Sequence, residues 1–187
     1  FGDSRVLAVS NSRLQRDYIA ARAEATGLSN VEVITADAVD FEPEGTFDRV
    51  VSIEMFEHMR NYRALLGRIA NWLAPDGRLF VHIFSHRTCA YLFESEGDDN
   101  WMGKYFFTGG IMPSDDLLLH FQEDLVLEDR WREDGRHYER TCNAWLAKLD
   151  AARDRVAAAL AEADRPDDAG RWLQRWRIFF MACAELC

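Results

Sequence analysis

Apolar residues recur along this chain in two alternating rhythms. Val6-Leu7-Ala8-Val9, Val31–Thr35, Asp48–Ile53 and Leu79–Phe84 are short apolar or β-rich runs that read as strands. Between them, Leu14, Tyr18, Ala21 and Ala25 recur at helical spacing and stop at Gly27. Tyr62, Leu65, Leu66, Ile69, Trp72 and Leu73 form a second amphipathic helix, closed by Pro75-Asp76-Gly77. Strand–helix–strand repeated with short connections predicts parallel βαβ units, and hence a doubly wound α/β sheet.

The alternation stops after Phe84. Residues 85–112 are aromatic and Gly-rich without a clean period, as expected of a long loop or a cap over a site, and a cap-like insertion over 85–122 follows from that reading. Asp115 to Gln122 reads as helical with Ser114 as its cap, and Val126 to Trp131 as a sixth strand. Residues 139–163 predict one long helix, Pro166-Asp167-Asp168 breaks it, and Trp172 to Cys187 resumes helical spacing through Trp176, Phe179, Phe180 and Cys183. The segment from 137 onward is thus helical, and the 187 residues suit one domain.

Composition narrows the class. The chain is 48% hydrophobic, which excludes a disordered tail, and no apolar run approaches the roughly 20 residues of a membrane helix. The net charge of −10 repels phosphate backbones and anionic lipid surfaces, so no nucleic-acid partner is expected and cationic ligands are mildly favoured. Cys89, Cys142, Cys183 and Cys187 contain no CxxC pair, so a reduced, cytoplasmic setting is expected and no metal site. Cys183 and Cys187 share a helix face, where burial is the plainer reading. The chain opens on Phe1-Gly2-Asp3 and enters a strand almost at once, which reads as part of a longer protein.

The run Ser52-Ile53-Glu54-Met55-Phe56-Glu57-His58-Met59 lies where a strand is expected to end. In open α/β sheets ligands bind beyond the carboxyl ends of strands. There Glu54, Glu57 and His58 are candidates to accept or share a proton from an amine; they would equally suit the first turn of a helix as acids favoured by its dipole. Asp37 lies just past Val31–Thr35 and suits an exocyclic amine such as that of adenine, or simply a turn. Gln15 is in reach of a ribose hydroxyl, yet Ser12-x-x-Gln15 also spells a capping box. Trp101, Tyr105, Phe106 and Phe107 could hold an aryl ring or a cationic amine, or build a small core of their own. His82 faces either core or crevice, and Tyr138 opens a helix where packing is the ordinary role.

Taken in order, Val-x-Ala-Val-Ser-Asn-Ser (6–12), Gln15, Asp37, Ser-Ile-Glu-Met-Phe-Glu-His (52–58), Val-His-Ile-Phe (81–84) and Trp-Met-Gly-Lys-Tyr-Phe-Phe-Thr-Gly-Gly-Ile-Met-Pro-Ser (101–114) resemble coclaurine N-methyltransferase-like enzymes, which are related to cyclopropane-fatty-acid synthases. His137-Tyr138, Thr141, Trp145 and the segment from Arg175 to Leu186 continue the likeness.

The resemblance implies a Rossmann-like class I methyltransferase fold that uses S-adenosylmethionine. It implies that Ser10 and Gln15 contact the cofactor's ribose, Asp37 and Ala38 its adenine, and that Ile53 also lines the cofactor site. It implies that Glu54, Glu57 and His58 are catalytic, transferring a methyl group to a small arylalkylamine. The alternative branch adds a methylene to unsaturated lipid chains, and its bicarbonate-binding positions would fall on Glu57, His82 and Tyr138. A binding module without turnover is a further alternative, distinguished by bound cofactor and amine that yield no product. The family's Gly-rich loop and first strand would precede Val6 and its last strand would follow Cys187, so the fold is expected to be incomplete at both ends, weakly stable and weakly active alone.

Overall fold

The computed structural model describes residues 3–97, 100–162 and 168–186. Residues 1–93 with 109–126 form one compact unit, and residues 94–108 with 127–187 form another. Phe1, Gly2, the Pro166-Asp167 break and Cys187 lie outside the described residues.

In the first unit β1 (Val6–Ser10) leads to α1 (Arg13–Ala25) and then β2 (Val31–Thr35), which pairs parallel with β1 in the register Val6↔Val31 to Ser10↔Thr35. The expected stop at Gly27 is a Schellman turn. The residue has φ 70°, Leu28 N–H donates to Ala23 O and Gly27 N–H donates to Glu24 O. The Leu14–Tyr18 stripe that defines the helix in sequence is not its buried side: both residues are exposed, and Ala23 is the buried one.

The second pair is β3 (Phe47–Ile53) and β4 (Leu73–His82), parallel and joined by α2 (Tyr62–Trp72). Asn61 caps α2, its Oδ1 accepting from Ala64 N–H. The Pro75-Asp76-Gly77 turn, expected to close the helix, lies inside β4 instead. Pairing starts at Phe47↔Leu73, breaks, and resumes at Arg49↔Arg78. The chain therefore enters the sheet directly from the helix, with Leu73 already extended ahead of Pro75. Gly77 is required there, because a Cβ would stand 2.9 Å from the carbonyl oxygens of both Ala74 and Phe47. The expected single sheet is present as these two parallel pairs, with no ladder joining them among the described residues.

The core of this unit is Phe56, Tyr62, Leu65, Leu66, Ile69 and Trp72, which α2 presses onto β3 and β4. Phe41 meets Trp72 edge-on at 5.3 Å, and Tyr62 meets Phe56 at 5.5 Å. Along β3, Ser52 is buried while Val51 and Ile53 are exposed, so one face of the strand is covered and the other open.

Residues 85–112 carry more structure than a loop: β5 (Tyr91–Leu92) and β6 (Ile111–Met112) form an antiparallel pair, and α3 (Trp101–Tyr105) lies between them in sequence. The helix expected over Asp115–Gln122 reduces to a 3₁₀ turn, Leu117–His120. Ser114 does not cap it; its hydroxyl bonds the Asp116 carboxyl and helps hold that group below its usual range. No strand forms over Val126–Trp131. Both end residues are exposed, and among the described residues no strand is paired with that segment.

The second unit packs α4 (Arg136–Ala151) and α5 (Arg153–Glu162) against α6 (Ala169–Leu186). The long helix expected over 139–163 is interrupted at Ala152, which turns the chain so that α5 also lies along α6. Cys142, Leu173 and Cys183 are buried there. No helix among the described residues is long and apolar enough to cross a membrane.

Candidate active site

The candidate catalytic residues cluster just beyond the carboxyl end of β3. The chain turns at Glu54, whose φ of 51° makes it the one non-glycine residue in the left-handed region among those described. Met55 follows, and then the 3₁₀ turn Phe56–His58. Phe56 is fully buried and wedges this turn into the core. Tyr62, also buried, braces it from α2 by donating its hydroxyl proton to Phe56 O at 3.0 Å.

That anchoring puts Glu57 inside the protein. It is 2% exposed, and its Oε2 is buried with no hydrogen-bond partner among the described residues. Burial pushes its carboxyl up to about 7; its own backbone amide opposes this, and the charge of Glu54 adds to it. His58 points outward and brings Nε2 to 3.9 Å from Glu57 Oε1. Burial, and then the charge of Glu57, also push the Tyr62 phenol upward, so Tyr62 stays a neutral donor.

His82, the last residue of β4, lies across the strand pair from Ile53. It is neither a core histidine nor a lone group in a crevice: its Nδ1 stands 3.0 Å from Glu54 Oε1. Glu54, Glu57, His58 and His82 therefore come together at one strand edge. Arg60, which no motif in the sequence marks, donates its Nε–H to Gly109 O at 2.7 Å and ties the Gly-Gly end of the aromatic motif to the candidate catalytic run.

The candidate cofactor residues occupy the same ends of β1 and β2. Ser10 donates its hydroxyl to Gln15 Oε1 at 2.7 Å, and Ser12 Oγ accepts from Gln15 N–H at 3.3 Å. Only half of the capping box forms, because Ser12 N–H donates to Ser10 Oγ and the Gln15 side chain turns toward Ser10. Asp37 closes a turn by accepting from Val39 N–H at 2.8 Å, and Ala36 N–H donates to Ser10 O, so the two strand ends are stitched together. Ile53 exposes its side chain at the end of β3.

The aromatic candidates lie in the second unit and pack among themselves. Phe106 stacks on Phe179 at 4.2 Å and meets Trp101, Trp172 and Trp176. Tyr105 is covered by the Arg175 guanidinium, 4.0 Å above its ring, while Asp168 pairs with the same guanidinium at 3.3 Å. Trp101 leans on Tyr105, Phe107 on Phe179, and Tyr138 meets Trp145 edge-on.

Parallel strands joined by helices, with polar and acidic groups gathered at their carboxyl ends, define the fold of the class I S-adenosylmethionine-dependent methyltransferases. A family model described as mycolic acid cyclopropane synthetase matches residues 2–186, and the chain belongs to that family. It is 36% identical over 190 residues to (S)-coclaurine N-methyltransferase of Thalictrum flavum subsp. glaucum, a match covering 100% of this chain and 53% of the relative. It is 29% identical over 185 residues to cyclopropane-fatty-acyl-phospholipid synthase of Escherichia coli K12, covering 97% of this chain and 44% of that one. A crystal structure of coclaurine N-methyltransferase bound to N-methylheliamine and SAH matches with a TM-score of 0.87 and 38% identity, over 97% of this chain and 55% of the other. The chain spans about half the length of the curated relatives it matches.

Proposed function

We propose that the protein is an S-adenosylmethionine-dependent N-methyltransferase acting on a small arylalkylamine. The observation that carries this reading is Glu57, a buried carboxyl held at about 7 beside an outward-facing histidine. Relatives named as coclaurine and pavine N-methyltransferases support it.

The polar groups at the strand ends suit the cofactor: Ser10 and Gln15 would hold the ribose hydroxyls, and Asp37 with Ala38 the adenine edge, next to Ile53. The fit rests on the Gln15 side chain, which is turned to Ser10 rather than spent on a helix cap. When bound, S-adenosylmethionine supplies a methyl group already activated on sulfonium, which an amine nitrogen accepts as the S–C bond breaks.

The chain's own residues then have one task, the proton. An arylalkylamine arrives as an ammonium and has no lone pair until a proton leaves. The Glu57 carboxylate accepts it in a dry setting where proton affinity is matched to neutral pH. The Glu54 carboxylate holds the cationic nitrogen by charge, and His58 passes the proton from Glu57 toward solvent. Within the second unit taken by itself, Trp101, Tyr105, Phe106 and Phe107, with Tyr138, are the aromatic residues that could hold an aryl ring. A cytoplasmic setting completes the reading.

Methyl-labelled S-adenosylmethionine supplied to the whole protein with a panel of arylalkylamines and unsaturated phospholipids tests it. Label on an amine nitrogen is the expected result. Label in an acyl chain, as the family model's description would suggest, assigns the second reading instead. Bound cofactor and amine without product would make it a binding module.

A further inference from the structure

Glu54 is held twice by the same residue. Its backbone N–H donates to His82 O at 2.9 Å, and its Oε1 lies 3.0 Å from His82 Nδ1. The backbone it holds is a costly one: a left-handed φ of 51° in a residue with a Cβ is strained and persists where surrounding contacts enforce it. The position of His82 is itself fixed, because it ends β4 in register with Ile53. A surface ion pair by itself would contribute little. Here the pair closes a ring of contacts around the turn that leads from the sheet into the Phe56–His58 segment.

We propose that His82 is a positioning residue for methyl transfer: its carbonyl and its Nδ1–H together hold Glu54 in the left-handed turn and aim the Glu54 carboxylate at the acceptor's cationic nitrogen. What Glu54 does there rests on the N-methyltransferase reading; the pairing itself does not. Nδ1 is the ring nitrogen that faces the Glu54 carboxylate, so a proton on it would be shared with Oε1.

The test has two arms in the whole protein. In spectra of ¹⁵N-histidine-labelled protein, the His82 signals are identified by their loss in His82→Asn. The expected result is a protonated Nδ1 whose shift moves in Glu54→Ala; signals unmoved by Glu54→Ala overturn the pairing, whichever acceptor the enzyme uses. The kinetic arm uses the acceptor found by the methyl-transfer panel, be it amine or acyl chain. His82→Leu should lower kcat by about 10- to 100-fold with cofactor affinity within about twofold of wild type. His82→Asn, whose amide N–H can stand in for Nδ1–H, should recover most of that loss. In Glu54→Ala, adding His82→Leu should cost almost nothing further. Full turnover by His82→Leu, failure of His82→Asn to recover, or additive losses in the double variant would each overturn the role. Transfer to an acyl chain alone would overturn the aiming of Glu54 at a cationic nitrogen together with the amine reading, while the Glu54–His82 pairing stands or falls on the spectra alone.

Discussion

Glu57 and His58 are adjacent in sequence and opposite in surroundings: Glu57 is buried, His58 is about half exposed, and Glu57 Oε1 stands 3.9 Å from His58 Nε2. A proton taken up by the first has a short path to the second and so to water. The arrangement follows from one fully buried side chain, Phe56, which places Glu57 indoors and leaves His58 at the rim.

Glu57→Gln keeps the shape and removes the proton acceptor. Turnover should fall by about 10² or more, while S-adenosylmethionine binding measured by calorimetry stays within about twofold. Turnover equal to wild type would remove Glu57 from the chemistry.

The pH dependence of kcat/KM should carry the same signature. With its carboxyl at about 7, Glu57 is protonated and unable to accept a proton below that value, so the rate should rise with pH and level above it. The limb is expected with an amine whose own ammonium stays protonated throughout, and should vanish in Glu57→Gln. A limb unchanged in that variant would assign it to another group.

Stability should run the other way. The folded protein raises Glu57 from 4.5 to about 7, so it binds that proton more tightly than the unfolded chain does. The stabilisation is complete below about 4.5 and is lost as pH rises through 7, a span of about 3 kcal/mol. Urea midpoints across this window should fall with pH in the wild type by more than in Glu57→Gln. Parallel curves would contradict the burial of the charge.

Gly77→Ala tests the bulge in β4. The new Cβ would meet two backbone carbonyl oxygens at 2.9 Å, that of Phe47, which is paired with Leu73, and that of Ala74 in the break between paired stretches. The expected loss is about 1–3 kcal/mol, read as a melting point lower by several degrees with m-value unchanged.

Phe106→Ala should lower the melting temperature of the whole protein as well, since the ring stacks on Phe179 and touches three tryptophans. A loss of about 1–3 kcal/mol is expected from a half-buried ring packed against four others. An unchanged melting curve with a raised KM would show the ring to be spent on substrate rather than on packing.

Much of this was legible in the residues. Val31–Thr35 is the observed β2 residue for residue, Gly27 stops α1, and the Phe-Glu-His run lies at a strand end. These signals are local, set by β-branched runs, a left-handed glycine and the strand's own length. What was not legible depends on partners distant in sequence. Val126–Trp131 has strand composition but joins no ladder among the described residues. The interruption at Ala152 carries no glycine or proline and comes from packing along α6. The Leu14–Tyr18 stripe is periodic yet exposed, because periodicity names a face without saying what covers it. The Glu54–His82 contact spans two strands and a backbone angle that glutamate composition does not announce.

The left-handed Glu54 also bears on how this protein could be engineered or could drift. Glycine at that position would relax the backbone, and a neutral residue at 57 would relieve a buried charge, so both changes favour the folded state at neutral pH. A selection that rewards heat resistance alone would therefore accumulate substitutions at these two carboxylates and return a sturdier protein with a silent centre. Hardening the protein while keeping the proposed activity means holding 54 and 57 constant and seeking gains elsewhere.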